Sequence, residues 1–179
     1  MLDLTKGQSL DLSKEAGAPL TKLRIGAGWD VAEGKTIDLD LVLIQKGGGV
    51  CYFNNKTIPG AKLDKDDRTG ASSAGGADEN IQIDVAALAG EEYTIVVNIY
   101  DAVSKGQFFK DVKAAFVEVE DTAASKMLCK YAISENGGDN FALVAGKLVK
   151  KDGAWHFNAD HQFSTKDLNA LAVEAGAAV

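Results

Sequence analysis

The chain has 179 residues, of which 46% are hydrophobic and only 2 are proline. That is enough apolar material for the core of one ordinary domain, 1–179, and it excludes a wholly disordered chain. The formal net charge of −7 disfavours a broad phosphate-binding face, so no nucleic-acid partner is expected.

Taken in chain order, short apolar segments rich in Val, Ile, Tyr and Phe alternate with Gly, Asn and Asp turns. Strands are expected over 9–12, 22–29, 37–45, 50–54, 81–84, 93–100, 114–120, 130–133, 141–150 and 154–160. Regular spacing of this kind predicts a mainly β, antiparallel sandwich or barrel. Gly47-Gly48-Gly49 and Lys151-Asp152-Gly153 read as hairpin turns, the latter on a strong Asp-Gly signal. Helices are few. A short one is expected over 107–112, and a clearer one over 165–175. In the latter Ser164 is placed as cap and Asp167 at the third helical position. Leu168, Leu171, Ala172 and Ala175 form one stripe, and Gly176 stops the helix. Its expected role is to cover an edge or face of a sheet. The small, aperiodic stretch 71–77 is a long loop for a compact domain, and such loops usually carry function.

The strand beginning at Ile37 carries the most chemistry. Alternation sends Ile37, Leu39, Leu41 and Leu43 to one face, and Asp38, Asp40, Val42 and Ile44 to the other. The second face is therefore acidic at the rim and apolar beyond it. Two carboxylates about 7 Å apart on one side repel and are costly to bury without a cation or water. Further acids lie at Asp30, after a Trp, in the loop Asp64-Lys65-Asp66-Asp67-Arg68-Thr69-Gly70, and at Asp78-Glu79. Carboxylates gathered without Cys or His suit a hard cation, and Ca²⁺ is the first candidate. The loop is not an EF-hand, since Arg68 stands at its fifth position and Gly75 at its twelfth. Gly26-Ala27-Gly28 reads as a strand of small side chains that leaves room for backbone or an ion to approach.

Other constellations are bland. His156 and His161 lie five residues apart with no Cys nearby, a poor zinc spacing, and read as surface histidines. Ser72 and Ser73 have no partnered base. No nucleophile elbow, zincin, P-loop or dinucleotide fingerprint occurs. Cys51 and Cys129 lie in apolar strands and read as buried free thiols, with one disulfide as the alternative. The N-terminus lacks a basic start followed by an apolar run, and no apolar run nears the roughly 20 residues of a membrane span. A soluble, cytoplasmic protein is expected.

A family resemblance runs through most of the sequence. Its marks include Leu20-Thr21-Lys22-Leu23-Arg24-Ile25-Gly26-Ala27-Gly28-Trp29-Asp30, Ile37-Asp38-Leu39-Asp40 and Tyr52-Phe53-Asn54-Asn55. Asp66-Asp67-Arg68-Thr69-Gly70, Asp78-Glu79-Asn80-Ile81, Gly106-Gln107-Phe108, Tyr131-Ala132-Ile133-Ser134-Glu135 and Gly153-Ala154-Trp155-His156-Phe157 follow in order. On these the chain resembles the TerD family of tellurium-resistance and stress proteins. The resemblance implies an antiparallel two-sheet β-sandwich with few short helices that binds one or two Ca²⁺ through loops at one end. The implied ligands are Asp38, Asp40, Asp66, Asp67, the Gly70 carbonyl, Asp78 and Glu79, with Asp30 a further candidate. Asn54 and Asn55 would add amide oxygens or brace the loops. The uncharged 71–77 stretch departs from the family's acidic linker and implies that one ligand, or one of two ion sites, is weakened or lost.

The resulting expectation is a non-enzymatic calcium-binding stress module that acts by Ca²⁺-dependent interaction, with other proteins of a stress-response complex as partners. The alternative is a Ca²⁺-dependent membrane-surface or small-ligand binding domain. Membrane association has thin support, because apolar and basic loop tips are represented only by Ile58 and Lys56.

Overall fold

The computed structural model describes residues 1–31, 35–69, 76–133 and 136–178. Its strands, in chain order, are β1 (Leu2–Leu4), β2 (Ser9–Asp11), β3 (Lys22–Val31), β4 (Leu39–Gln45), β5 (Val50–Cys51), β6 (Thr57–Ile58) and β7 (Ala61–Lys65). There follow β8 (Glu79–Asp84), β9 (Glu92–Ile99), β10 (Val112–Asp121), β11 (Lys126–Ala132), β12 (Ala142–Lys151) and β13 (Ala154–Ser164). Three short α-helices accompany them: α1 (Leu12–Ala16), α2 (Ala102–Lys105) and α3 (Leu168–Glu174).

The strands form two sheets. One has seven strands in the order β1-β11-β10-β3-β8-β7-β6, the other six in the order β2-β13-β12-β9-β4-β5. Inward-facing residues of both make one continuous core, from Leu23, Ile25 and Trp29 on β3 to Leu41 and Leu43 on β4 and Phe157 on β13. This is the expected sandwich. It is antiparallel except at one edge, where β1 runs parallel to β11.

The strand β4 shows how alternation sets the layers. Leu39, Leu41 and Leu43 point into the main core, while Val42 and Ile44 enter a second cluster with Val96, Ala142 and Leu171. The stripe of α3 covers that second face, and Leu168, Ala172 and Ala175 all pack there. Both faces of β4 are thereby buried away from its acidic start, the pattern expected of a strand with apolar runs on both parities. The helix starts later than expected. Asp167, not Ser164, is its N-cap and accepts from Ala170 N at 2.8 Å. The Ser164 hydroxyl instead accepts from Lys166 N at 3.0 Å, at the end of β13. Replacing an N-cap Asp by Ala costs about 1 kcal/mol. Asp167→Ala is expected to lower unfolding stability by that amount in urea titration, while Ser164→Ala changes it far less.

Other boundaries differ for local reasons. The segment 9–12 is not all strand, because the Asp11 carboxylate accepts from Lys14 N at 2.9 Å and caps α1. The expected strand 50–54 stops at Cys51, where Tyr52 and Asn55 exchange two backbone hydrogen bonds of 3.0 Å in a tight turn. In place of one helix over 107–112 there is α2 and a single 3-10 turn at Phe109–Asp111. Cys51 and Cys129 are buried free thiols, and burial pushes them up to about 11 and about 12.

The histidines also differ from expectation. His156 is half-buried, 3.7 Å from Asp11. A bulge shifts the β12–β13 register between Val144 and Gly146 and gives His161 a φ of 59°. His161 has the inward parity of Trp155, Phe157 and Ala159, and its ring sits beside Tyr131 and Phe163, at centroid distances of 5.5 and 5.0 Å.

Candidate metal centre

The start of β4, the end of β9, the end of β7 and the start of β8 all lie at one end of the sandwich. Antiparallel pairing sets this: Leu39 on β4 is opposite Ile99 on β9, and Lys65 on β7 is opposite Asn80 on β8. Three carboxylates meet there. Ligand atoms of Asp38, Asp40 and Glu79 all lie within 4.8 Å of one another.

Two local features deliver Glu79. Gly26 and Gly28 of β3 leave no space for a side chain. A Cβ on Gly28 would stand 2.8 Å from the Gly76 carbonyl and 2.4 Å from Phe116, and one on Gly26 would meet Ala77 at 2.8 Å. The room expected at these glycines is thus taken by the chain at 76–77 and by Phe116. This close approach leads the backbone into Asp78, whose N–H donates to Ala27 O at 2.8 Å. The second feature is a gap in the other sheet. β5 pairs only with Leu43 and Ile44 of β4, leaving Leu41 on an open edge. Glu79 reaches across from β8, and its Oε2 accepts the Leu41 N–H at 2.6 Å. One side chain thereby ties the two sheets together beside Asp40.

Burial makes this arrangement costly without a partner. Asp40 is 4% exposed and Glu79 1%. Burial pushes Asp40 up to about 7, helped by the nearby charges of Asp38 and Asp66. Burial likewise pushes Glu79 up to about 9, opposed by the Leu41 hydrogen bond and helped by Asp40 and Asp66. Asp38 is raised too, first by burial and then by Asp66. Among the described residues the buried oxygens Asp38 Oδ1 and Glu79 Oε1 have no N–H or hydroxyl donor to accept from, and Glu79 has only the Asp66 carboxyl within side-chain hydrogen-bonding reach. Carboxylates held together with idle lone pairs and no thiolate or imidazole fit a hard, oxygen-seeking cation.

The remaining expected site residues fall into place around this trio. Asp66 lines the same cleft as Asp38 and Asp40, with Lys56 3.5 Å away. Asp67 accepts from Thr69 N and Oγ1 at 2.8 and 2.9 Å, which shapes the loop. Asp78 is 1% exposed; its Oδ2 accepts from Trp29 N at 3.0 Å, while its Oδ1 has no hydrogen-bond partner among the described residues. Asp30 lies outside the trio. Trp29 turns into the core, so alternation points Asp30 to solvent. Asn55 braces the 52–55 turn by donating to Val50 O at 2.8 Å. Gly70 and most of the uncharged linker lie outside the described residues.

Sequence reasoning missed the opposite wall. A cleft of about 300 Å³ opens over Asp38 and Asp40 and is also lined by Phe53, Arg68, Tyr100 and Lys105. Phe53 and Tyr100 meet edge to face with centroids 5.5 Å apart, and Lys105 Nζ lies 5.1 Å from the Tyr100 ring centre. No local signal marks the segment 100–105. It arrives only because β9 pairs with β4 and Tyr100 N donates to Asp38 O at 2.8 Å.

Comparison with known proteins agrees with this architecture. The TerD domain matches residues 1–174. General stress protein 16U of Bacillus subtilis (strain 168) is 31% identical over 173 residues, covering 88% of each chain. Tellurium resistance protein TerD of Alcaligenes sp is 30% identical over 172 residues, again with 88% of each chain covered. The crystal structure of a homologue of telluride resistance protein (TerD) from Streptomyces coelicolor A3(2) superposes with a TM-score of 0.70 at 19% identity, over 90% of this chain and 100% of that one. The chain belongs to the TerD family.

Proposed function

We propose that this TerD-family chain is a calcium-binding stress-response module of the tellurite-resistance type, acting through Ca²⁺-dependent interaction and not through catalysis. The supporting observation is the trio Asp38, Asp40 and Glu79, drawn within 4.8 Å while two of its buried oxygens find no N–H or hydroxyl donor among the described residues. These three residues would hold the ion, with Asp66 the nearest further carboxylate on the cleft wall. A bound Ca²⁺ supplies two positive charges and a demand for oxygen ligands. The chain's residues do the rest. Asp38 and Asp40 come from one strand start, Glu79 from the facing sheet, and two positive charges among the three carboxylates would offset most of the repulsion between them. The names of relatives as stress and tellurium-resistance proteins support the biological setting.

Calorimetric titration of the EGTA-treated chain with Ca²⁺ tests the reading. Binding of one or two ions is expected, and Asp38→Ala with Asp40→Ala should remove the heat. A flat titration of the folded wild-type chain would overturn the proposal.

A further inference from the structure

The cleft above the carboxylates has a second chemistry. Arg68 and Lys105 stand on its wall, yet among the described residues neither forms an ion pair with Asp38, Asp40 or Asp66. Both are close enough to favour ionisation of Asp38 and Asp40. Both are exposed, and Lys105 rests against the Tyr100 ring. Two cations facing a carboxylate cluster without closing on it leave a space between them. With a divalent ion seated on the carboxylates, that space is bordered by three positive centres and by the aromatic pair Phe53 and Tyr100.

We infer that this cleft is the binding site for a small soluble phosphate monoester carrying a flat apolar group. The inference rests on the calcium reading above. The phosphate oxygens would meet the ion, Arg68 and Lys105, and the flat group would lie against Phe53 and Tyr100. A dianion with three terminal oxygens matches three separated positive centres better than a carboxylate, which offers two oxygens and one charge. Calcium takes roughly 6–8 oxygen ligands, more than three carboxylates supply as single donors, so a ligand oxygen has a place in its shell. The cleft's volume of about 300 Å³ suits a small molecule.

Phenyl phosphate is the probe, titrated into the full chain with saturating Ca²⁺ or with EGTA, after Ca²⁺ alone. Binding is expected only with Ca²⁺, and benzoate should bind at least about tenfold more weakly. Arg68→Gln and Lys105→Gln should each weaken phenyl phosphate about tenfold while strengthening Ca²⁺ binding, because each removes a positive charge beside the ion. Tyr100→Ala should erase the advantage of phenyl phosphate over inorganic phosphate. If Ca²⁺ binds but phenyl phosphate does not, the cleft inference falls and the calcium reading stands. Binding that persists in EGTA, or that survives the double Arg68→Gln, Lys105→Gln replacement, also overturns it. Absence of Ca²⁺ binding removes both readings.

Discussion

Replacing Glu79 with Gln is expected to make the metal-free protein more stable and the calcium-loaded protein no more stable than the metal-free one. The side chain is 1% exposed, and burial pushes its carboxyl up to about 9. At pH 7 the folded protein therefore keeps a proton that the unfolded chain has released above its ordinary value of 4.5. That mismatch costs on the order of 3 kcal/mol at pH 7, since each pH unit between is worth about 1.4 kcal/mol. Gln carries no such cost. Its carbonyl can still accept the Leu41 N–H, and its amide can donate to the carboxylates beside it. The same change removes a charged ligand. Binding at a hundredfold excess over Kd adds about 2.7 kcal/mol to the wild type, and Glu79→Gln should lose that increment. Thermal melts of both proteins with EGTA and with Ca²⁺ check the two effects together. A variant that melts lower without metal, or that still gains from Ca²⁺, would contradict the assignment of Glu79.

Calcium affinity is expected to climb steeply with pH. The ion needs ionised carboxylates, whereas the metal-free site holds protons on Glu79 up to about pH 9 and on Asp40 up to about pH 7. Between pH 7 and 9 binding displaces about one proton, so affinity should rise about tenfold per unit; below pH 7 it displaces about two and the slope should steepen. The stability of the metal-free chain runs the other way. Both groups have raised folded values, so the folded state is the better proton binder above pH 4–5. Its stability falls as pH rises through 7 towards 9 and levels off beyond. Calorimetry in buffers of different ionisation enthalpy counts the protons released. A Kd that is flat from pH 6 to 9 would show that Asp40 and Glu79 do not hold the ion.

Much of this was legible wherever a period of two or of 3.6 was unbroken. Ile37, Leu39, Leu41 and Leu43 face the main core, Val42 and Ile44 face the α3 stripe, and Asp38 and Asp40 fall on the rim. Leu168, Leu171, Ala172 and Ala175 pack as one face. Local side-chain chemistry hid other parts. Asp11 ends a strand by capping a helix, and β7 alternates inside the charged sequence Ala61-Lys62-Leu63-Asp64-Lys65. His161, read as a surface residue from its spacing to His156, carries the inward parity of Trp155, Phe157 and Ala159 and packs beside Tyr131 and Phe163. Asp30 stands outside the trio because its neighbour Trp29 occupies the inward position. Lys105 and Tyr100 reach the cleft through strand pairing across some sixty residues, a relation no local window contains.

The hydrogen bond from Leu41 N–H to Glu79 Oε2 gives this protein an internal probe. The amide belongs to one sheet and the acid to the other, so a backbone resonance in β4 reads the charge on a β8 side chain. Its chemical shift should move as Glu79 trades its proton for a cation, and its solvent exchange should slow once both sheets are held on a common ion. A single ¹⁵N-labelled leucine spectrum would then follow occupancy of the proposed site directly.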